Sequence, residues 1–373
     1  MTSVTTTSKC FQSIPRLRIV KYSFTLFTPD SSDRGTFPVF VIGCHRSGTN
    51  LLYDMFMSSG RFAIYRGYLP VYKILEPRYG SMASRANREK IFATWLRSKG
   101  FRRTGMEAEH FSSHILNDCR TAGDFVRFVM DSVTQRQNAI RWAFHDGDNV
   151  LHFRRIKKDI PNALFVHIIR DGRDIALSLK KMGGFKPLPW DRNETNSLVA
   201  TALYWKWMVR HGRTAGRLFP ADYIEIRYED LITNPRETLS KLGSFIACDL
   251  DYAQIQRAGL GSLSTTNSSF REEGKEKTNP LGRWKKRLSP ENIAAIESTV
   301  GDCLEENGYQ LSLSVADRRI RLRGSFMRVM YPAFLDSKLW LKLNTPLGRF
   351  ANLSALELTD EPHKPQPGAD HAP

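Results

Sequence analysis

Cysteine is sparse and badly placed for cross-linking: Cys10, Cys44, Cys119, Cys248 and Cys303 are an odd number, scattered, and contain no CxxC pair. That excludes a disulfide framework or a zinc ribbon and predicts reduced thiols in a cytoplasmic protein. Long apolar runs are missing too. No stretch approaches the roughly 20 apolar residues of a membrane-spanning helix, and the opening "MTSVTTTSKCFQSIPRLRIVKYSF" has no signal-peptide core, so an unexported protein is expected. Acidic residues are outnumbered, with 38 Asp and Glu against 55 Lys and Arg and a formal charge of +17. Such a balance attracts polyanions: nucleic acid, an anionic membrane, or a multiply phosphorylated small molecule. No nucleic-acid-binding module is recognisable, and a nucleic-acid partner is not expected. What the chain does have is material for a core, with 41% hydrophobic and 11% aromatic residues over 373 positions.

Three segments organise it. Residues 1–34 are Ser/Thr-rich and read as a partly ordered leader; 35–312 carry the strand and helix patterns; 313–373 are a basic, aromatic extension ending in a Pro-rich tail. "FPVFVIG" and "ALFVHIIR" are short apolar runs of the kind found in strands buried on both faces, and "DYIEIRYEDL" supplies a third strand. Between them lie helical patterns over 123–142, 149–160, 171–184 and 194–218, and "NPRETLSKLGSFI" brings its own start signal, with Asn234 as cap, Pro235 in the first turn and Glu237 behind it. Strand and helix alternation predicts an α/β fold of three layers, a mostly parallel central sheet flanked by helices.

One absence is local. In a nucleoside-triphosphate loop, GxxxxGK[ST], backbone amides cradle phosphates, the lysine reaches the terminal ones and the hydroxyl holds magnesium. In "GCHRSGTN" the glycines Gly43 and Gly48 keep that spacing, but Thr49 stands in the lysine's place and Asn50 in that of the magnesium hydroxyl. Arg46 can replace the lysine as a charge, and amides at a helix N-terminus bind phosphate without a metal. Taken alone, the stretch also fits an ordinary glycine turn. Further on, "FVHIIRDGRDIALSL" sets Arg170 at a strand end and Ser178 two turns into the next helix, able to converge on one phosphate; ion pairing among Arg170, Arg173 and Asp174 is the plainer alternative.

These two motifs, followed by "IRYEDLITNP" and "NPLGRWKKRLS", resemble in order the sulfotransferases that use 3'-phosphoadenosine 5'-phosphosulfate (PAPS), over about residues 37–310. The resemblance implies a P-loop-NTPase-like fold, PAPS as donor and no metal. It implies that Arg46, Ser47, Gly48, Thr49 and Asn50 hold the 5'-phosphosulfate and that Arg170 and Ser178 grip the 3'-phosphate. Tyr228 matches the adenine side, with a core tyrosine as the alternative, and Arg283 and Lys285 match a late basic segment over the 3'-phosphate. The acceptor would present a hydroxyl or an amine.

Such a transfer needs a base near the acceptor proton. The family's usual positions are not kept: "RFAIYRGYLPVYKILEP" has no carboxylate before Glu76, and "WAFHDGDNVLHF" lacks the family's Lys-Thr turn. That second stretch offers His145 first and Asp148 second, with Glu76 third, unless Asp146 and Asp148 merely cap the next helix. His167, inside a strand, reads as a core residue, and His45 lies in the loop. Tyr204, Trp205 and Trp207 read as helix packing with one face to an acceptor cleft whose walls would come from 61–122 and 182–200. The segment 318–349 suits either docking on the domain or peripheral contact with an anionic membrane. A protein that keeps the donor pocket and has lost catalysis is the alternative function; a kinase or GTPase is disfavoured by the absent lysine and hydroxyl.

Overall fold

The computed structural model describes residues 31–182, 194–258, 280–312 and 318–359. The leader before 31, the 259–279 stretch, positions 183–193 of the expected acceptor wall and the tail beyond 359 lie outside the described residues.

Four parallel strands form the sheet: β1 (Val39–Ile42), β2 (Ala143–His145), β3 (Leu164–Ile169) and β4 (Tyr223–Arg227), in the order β2-β1-β3-β4. Val39 pairs with Ala143 on one side and Leu164 on the other, so β1 is central. Its residues are all buried because alternate side chains enter two different cores. Phe40 and Ile42, with Phe165 and Ile169, face one; Val39 and Val41, with Leu164, Val166 and Ile168, face the other. Each such side chain contributes about 1.5–3 kcal/mol on burial, which is why a run with no polar alternation is stable only as a covered strand.

The second core is closed by α1 (Thr49–Ser58) and, later in the chain, by α8 (Tyr228–Thr233), α9 (Pro235–Ile246) and α10 (Tyr252–Ala258). The first core is larger. It takes in α2 (Arg85–Leu96), α3 (Ala108–Asn117), α4 (Ala122–Arg136), α5 (Asn149–Asp159), α6 (Gly172–Lys181), α7 (Glu194–Gly216), α11 (Pro290–Glu306) and the inner face of α12 (Arg318–Asn344). The mostly parallel, three-layer expectation holds, with every pairing among the described strands parallel.

Two sequence expectations need correction. The helical pattern over 123–142 ends at Arg136, because Asn138 turns left-handed (φ 50°) and the Ala139 amide reaches back to the Thr134 carbonyl, closing the helix. The released chain becomes β2. Asn234 precedes α9 without a side-chain capping bond, so Pro235 alone marks that start. By contrast Thr121 and Asp124 cap α4 reciprocally, and Ser289 caps α11.

After β1 the chain leaves toward β2, and after β3 it leaves toward β4. The crevice between the carboxyl ends of β1 and β3 is therefore the switch point, where open α/β sheets bind ligands.

Candidate active site

The β1 end enters the loop at Gly43 (φ 151°), where a Cβ would lie 2.5 Å from the Ile168 carbonyl oxygen of β3. The loop closes at Gly48 (φ 100°), where a Cβ would lie 2.4 Å from the Tyr228 ring. Between them Arg46 adopts a left-handed φ of 74°, a strained state for arginine that aims its side chain across the crevice. Gly48 also serves as the N-cap of α1 and offers no side-chain cap, leaving the first-turn amides around Thr49 and Asn50 directed at the loop's concavity. Ser47 is buried, and its Oγ has no hydrogen-bond partner. A concavity lined by helix amides and an unanswered hydroxyl is a fit for a phosphate or sulfate oxygen.

The second motif meets the first. Arg46 Nε donates to Ser178 Oγ at 3.1 Å. Arg170 donates to the Arg46 carbonyl at 3.3 Å and to the Pro280 carbonyl at 2.6 Å, and its guanidinium lies 4.4 Å from the centroid of the Tyr228 ring. Burial, then the charges of Arg170 and Arg283, push the Arg46 pKa down. Asp174 offsets part of the charge on Arg170, and the mutual repulsion of Arg46 with Arg170 and Arg283 favours a further anion in the crevice.

The plainer reading is met in part, since Arg170 pairs with Asp174 at 3.9 Å, while Arg173 pairs outside the expected three. Asp171 caps α6 and pairs with Arg173 at 2.8 Å; Arg173 also pairs with Glu297 at 2.6 Å. Asp174 accepts the amides of Gly282 and Trp284, each at 3.0 Å, and Asp171 accepts the Trp284 indole at 3.1 Å. This clamp holds Arg283 against the crevice. Lys285 lies 5.6 Å from the Trp284 ring, and both it and Arg283 line an opening shared with Arg227, Glu229 and Tyr309.

The turn after β2 is pressed on the loop from the opposite side. At Gly147 a Cβ would come within 2.5 Å of the Gly43 carbonyl oxygen. His145 stacks on Tyr53 at 4.3 Å, and burial lowers its pKa below the ordinary imidazole value. Asp148 forms no side-chain cap on α5. It pairs with His45 Nε2 at 3.1 Å and with Lys73, and Tyr204 donates to it at 3.4 Å. Burial opposes its charge, but His45 and Lys73 hold it well below the carboxylate range. Burial likewise works against a charged His45, yet Asp148 raises its pKa above the usual imidazole value. Burial and then the charge of Lys73 push the pKa of Lys342 in α12 down, against the pull of Asp148 and Asp146.

Other candidates fall away from it. Glu76 is buried against Arg155 and the Met82 amide. His167 bonds the Tyr223 hydroxyl at 2.6 Å, and burial lowers its pKa to about 4, as suits a core residue. Trp205 packs over Gly172, and Trp207 donates to Asp336 at 2.7 Å, toward α12; of the three α7 aromatics Tyr204 reaches the cluster. Sequence reasoning missed Lys73 and the pairing of His45 with Asp148. Lys73 had one signal, a lone lysine inside the buried run "VYKIL". Among the described residues no group of His, Cys, Asp and Glu is arranged to hold a metal.

Known proteins share this fold. The sulfotransferase domain of an olefin synthase from Synechococcus PCC 7002 superposes with a TM-score of 0.53 at 18% identity, covering 74% of this chain and 96% of that domain. The sulfotransferase domain of the curacin biosynthetic pathway superposes with a TM-score of 0.52 at 15% identity, covering 74% and 99%. At those identities the likeness concerns the fold. No curated protein sequence matches. The family model described as "Sulfotransferase family" matches residues 38–252, more than half of the chain and the whole span from β1 through α9. The chain belongs to the sulfotransferase family.

Proposed function

We propose that the protein transfers a sulfuryl group from PAPS to a hydroxyl or amine of a small-molecule acceptor and releases adenosine 3',5'-bisphosphate. The observation that carries the donor is the crevice between β1 and β3, where the unanswered Ser47 hydroxyl and the α1 amides face Arg46, with Arg170 and Arg283 bearing on it. Arg46, Ser47, Gly48, Thr49 and Asn50 would hold the 5' anion, Arg170 and Ser178 the 3'-phosphate, and Tyr228 the base, with Arg283 beside them. Lys285 is the weakest member of this set, since its side chain lies over Trp284.

The donor supplies the sulfuryl group, and the electron pair of the broken sulfur–oxygen bond stays on its phosphate. The chain supplies charge and a proton acceptor. Arg46 and the loop amides stabilise negative charge as it grows, without reorganising. His45, oriented by Asp148, takes the acceptor proton in preference to His145, which is stacked on Tyr53. Asp148, with its depressed pKa, is a poor base and a good orienting group. Lys73 fixes the carboxylate from the other side.

Isothermal titration with adenosine 3',5'-bisphosphate in the presence of EDTA tests the donor. Binding is expected, weakened about 10–100-fold by Arg170→Ala, as for loss of a charge-assisted contact. An absence of binding by folded wild-type protein would overturn the reading. Binding without transfer to any component of a cell extract, followed by mass spectrometry with labelled PAPS, would instead assign a binding protein that has lost catalysis.

A further inference from the structure

Helix α12 is apolar on two faces, and the domain covers one. Met327 and Tyr331 are buried in the main core, and Leu335 and Leu339 pack at its edge. On the opposite face Leu322 (64% exposed), Phe326 (63%), Val329 (70%) and Trp340 (59%) align with Met330, Phe334 and Leu341 at helical spacing. Leu347 and Phe350, just beyond the helix, extend the exposed apolar surface. A contiguous patch of this kind on a soluble domain marks an interaction surface.

The charge beside it selects the occupant. Among the described side chains from 322 to 350 the cations are Arg328, Lys338, Lys342 and Arg349, and the single acid is Asp336. A groove of about 1020 Å³ runs along the flank of α12 against α5 and α7, and its charged lining is Arg154, Arg155, Lys206, Arg210 and Arg328 against Asp302 and Asp336. A second copy of the chain, itself at +17, would bring like charge to like. Among the described residues no helix is long and apolar enough to cross a membrane. Apolar side chains on one face, cations along the flank and a tryptophan near the end are what a helix lying in the interface of an anionic bilayer needs.

We infer that the outer face of α12 and the basic groove beside it seat the protein on an anionic lipid bilayer. This assignment does not depend on the donor or the acceptor proposed above.

Flotation of the full chain with vesicles tests it. The protein is expected to rise with vesicles of phosphatidylcholine mixed with phosphatidylglycerol, not with phosphatidylcholine alone, and to be released as salt screens the charges. Phe326→Asn combined with Trp340→Asn should weaken vesicle binding at least about tenfold with the melting temperature unchanged. If that pair lowers the melting temperature, Val329→Asn alone carries the same expectation of weaker binding. Arg154→Gln with Arg328→Gln should weaken binding and flatten its salt dependence. The inference is overturned if anionic vesicles leave the protein behind, or if the asparagine variants float like wild type. It is equally overturned if sedimentation velocity shows a dimer that the asparagine pair abolishes while vesicles are ignored.

Discussion

His45 follows β1 and His145 ends the neighbouring β2, and their surroundings push them in opposite directions: Asp148 raises the first against its burial, while burial lowers the second. A general base works only when deprotonated, so kcat/KM climbs as pH passes its pKa. If His45 takes the proton, the acid limb lies above the ordinary imidazole value of about 6.5, and if His145 does, below it. Asp148→Asn removes the charge that raises His45. The limb should therefore move down and kcat should fall roughly 100-fold; a limb below 6.5 that ignores the substitution would assign the role to His145. Gly48 makes a second residue-scale case. Alanine there must accept φ 100° and intrude on the Tyr228 ring, so Gly48→Ala should cost about 1–3 kcal/mol in urea unfolding. Pairing it with Tyr228→Ala should recover part of that loss, which only a contact between the two sites explains.

At the scale of elements, what the sequence revealed and what it hid follow from the range of the interaction. β1 and β3 were legible because an apolar run needs no partner to be recognised, β4 because Ile224 and Ile226 alternate with Glu225 and Arg227, and the loop because its glycines are local in sequence. β2 was hidden by "NAIRW", which continues a helical pattern until Asn138 turns left-handed. The Asp148–Lys73–His45 cluster joins three distant segments and leaves no local trace, so the proton acceptor was sought one turn away at His145. The Gly282–Lys285 segment shows the same limit: its basic residues were visible, its clamp by Asp171 and Asp174 was not. Arg283 reaches the crevice only while that clamp holds. Trp284→Leu, which removes the indole bond to Asp171 and the stack on Arg173, should weaken adenosine 3',5'-bisphosphate binding about tenfold by calorimetry. Tight binding by the leucine variant would mean that Arg283 takes no part in the pocket.

For the whole molecule, the question is whether the C-terminal extension is an appendage or part of the core. Met327, Tyr331 and Leu356 are buried in the same cluster as Phe40 and Phe165 of the sheet. Backbone carbonyls of Arg349, Ala351, Glu357 and Thr359 are gripped by Arg78, Arg97 and Arg102. At about 1.5–3 kcal/mol for each buried side chain, these three alone rival a net stability of about 5–15 kcal/mol. A chain ending at Ser312 should accordingly fail to fold cooperatively, although the family match ends well before that point. The finer comparison lies within α12, whose two faces have opposite duties. Tyr331→Ala empties a core position and should cost about 3–5 kcal/mol in urea unfolding, whereas Phe326→Ala, on the outer face, should stay within about 0.5 kcal/mol of wild type. Equal and small effects at both positions would show that the helix is not anchored in solution, and the extension would then be separable from the domain that carries the chemistry.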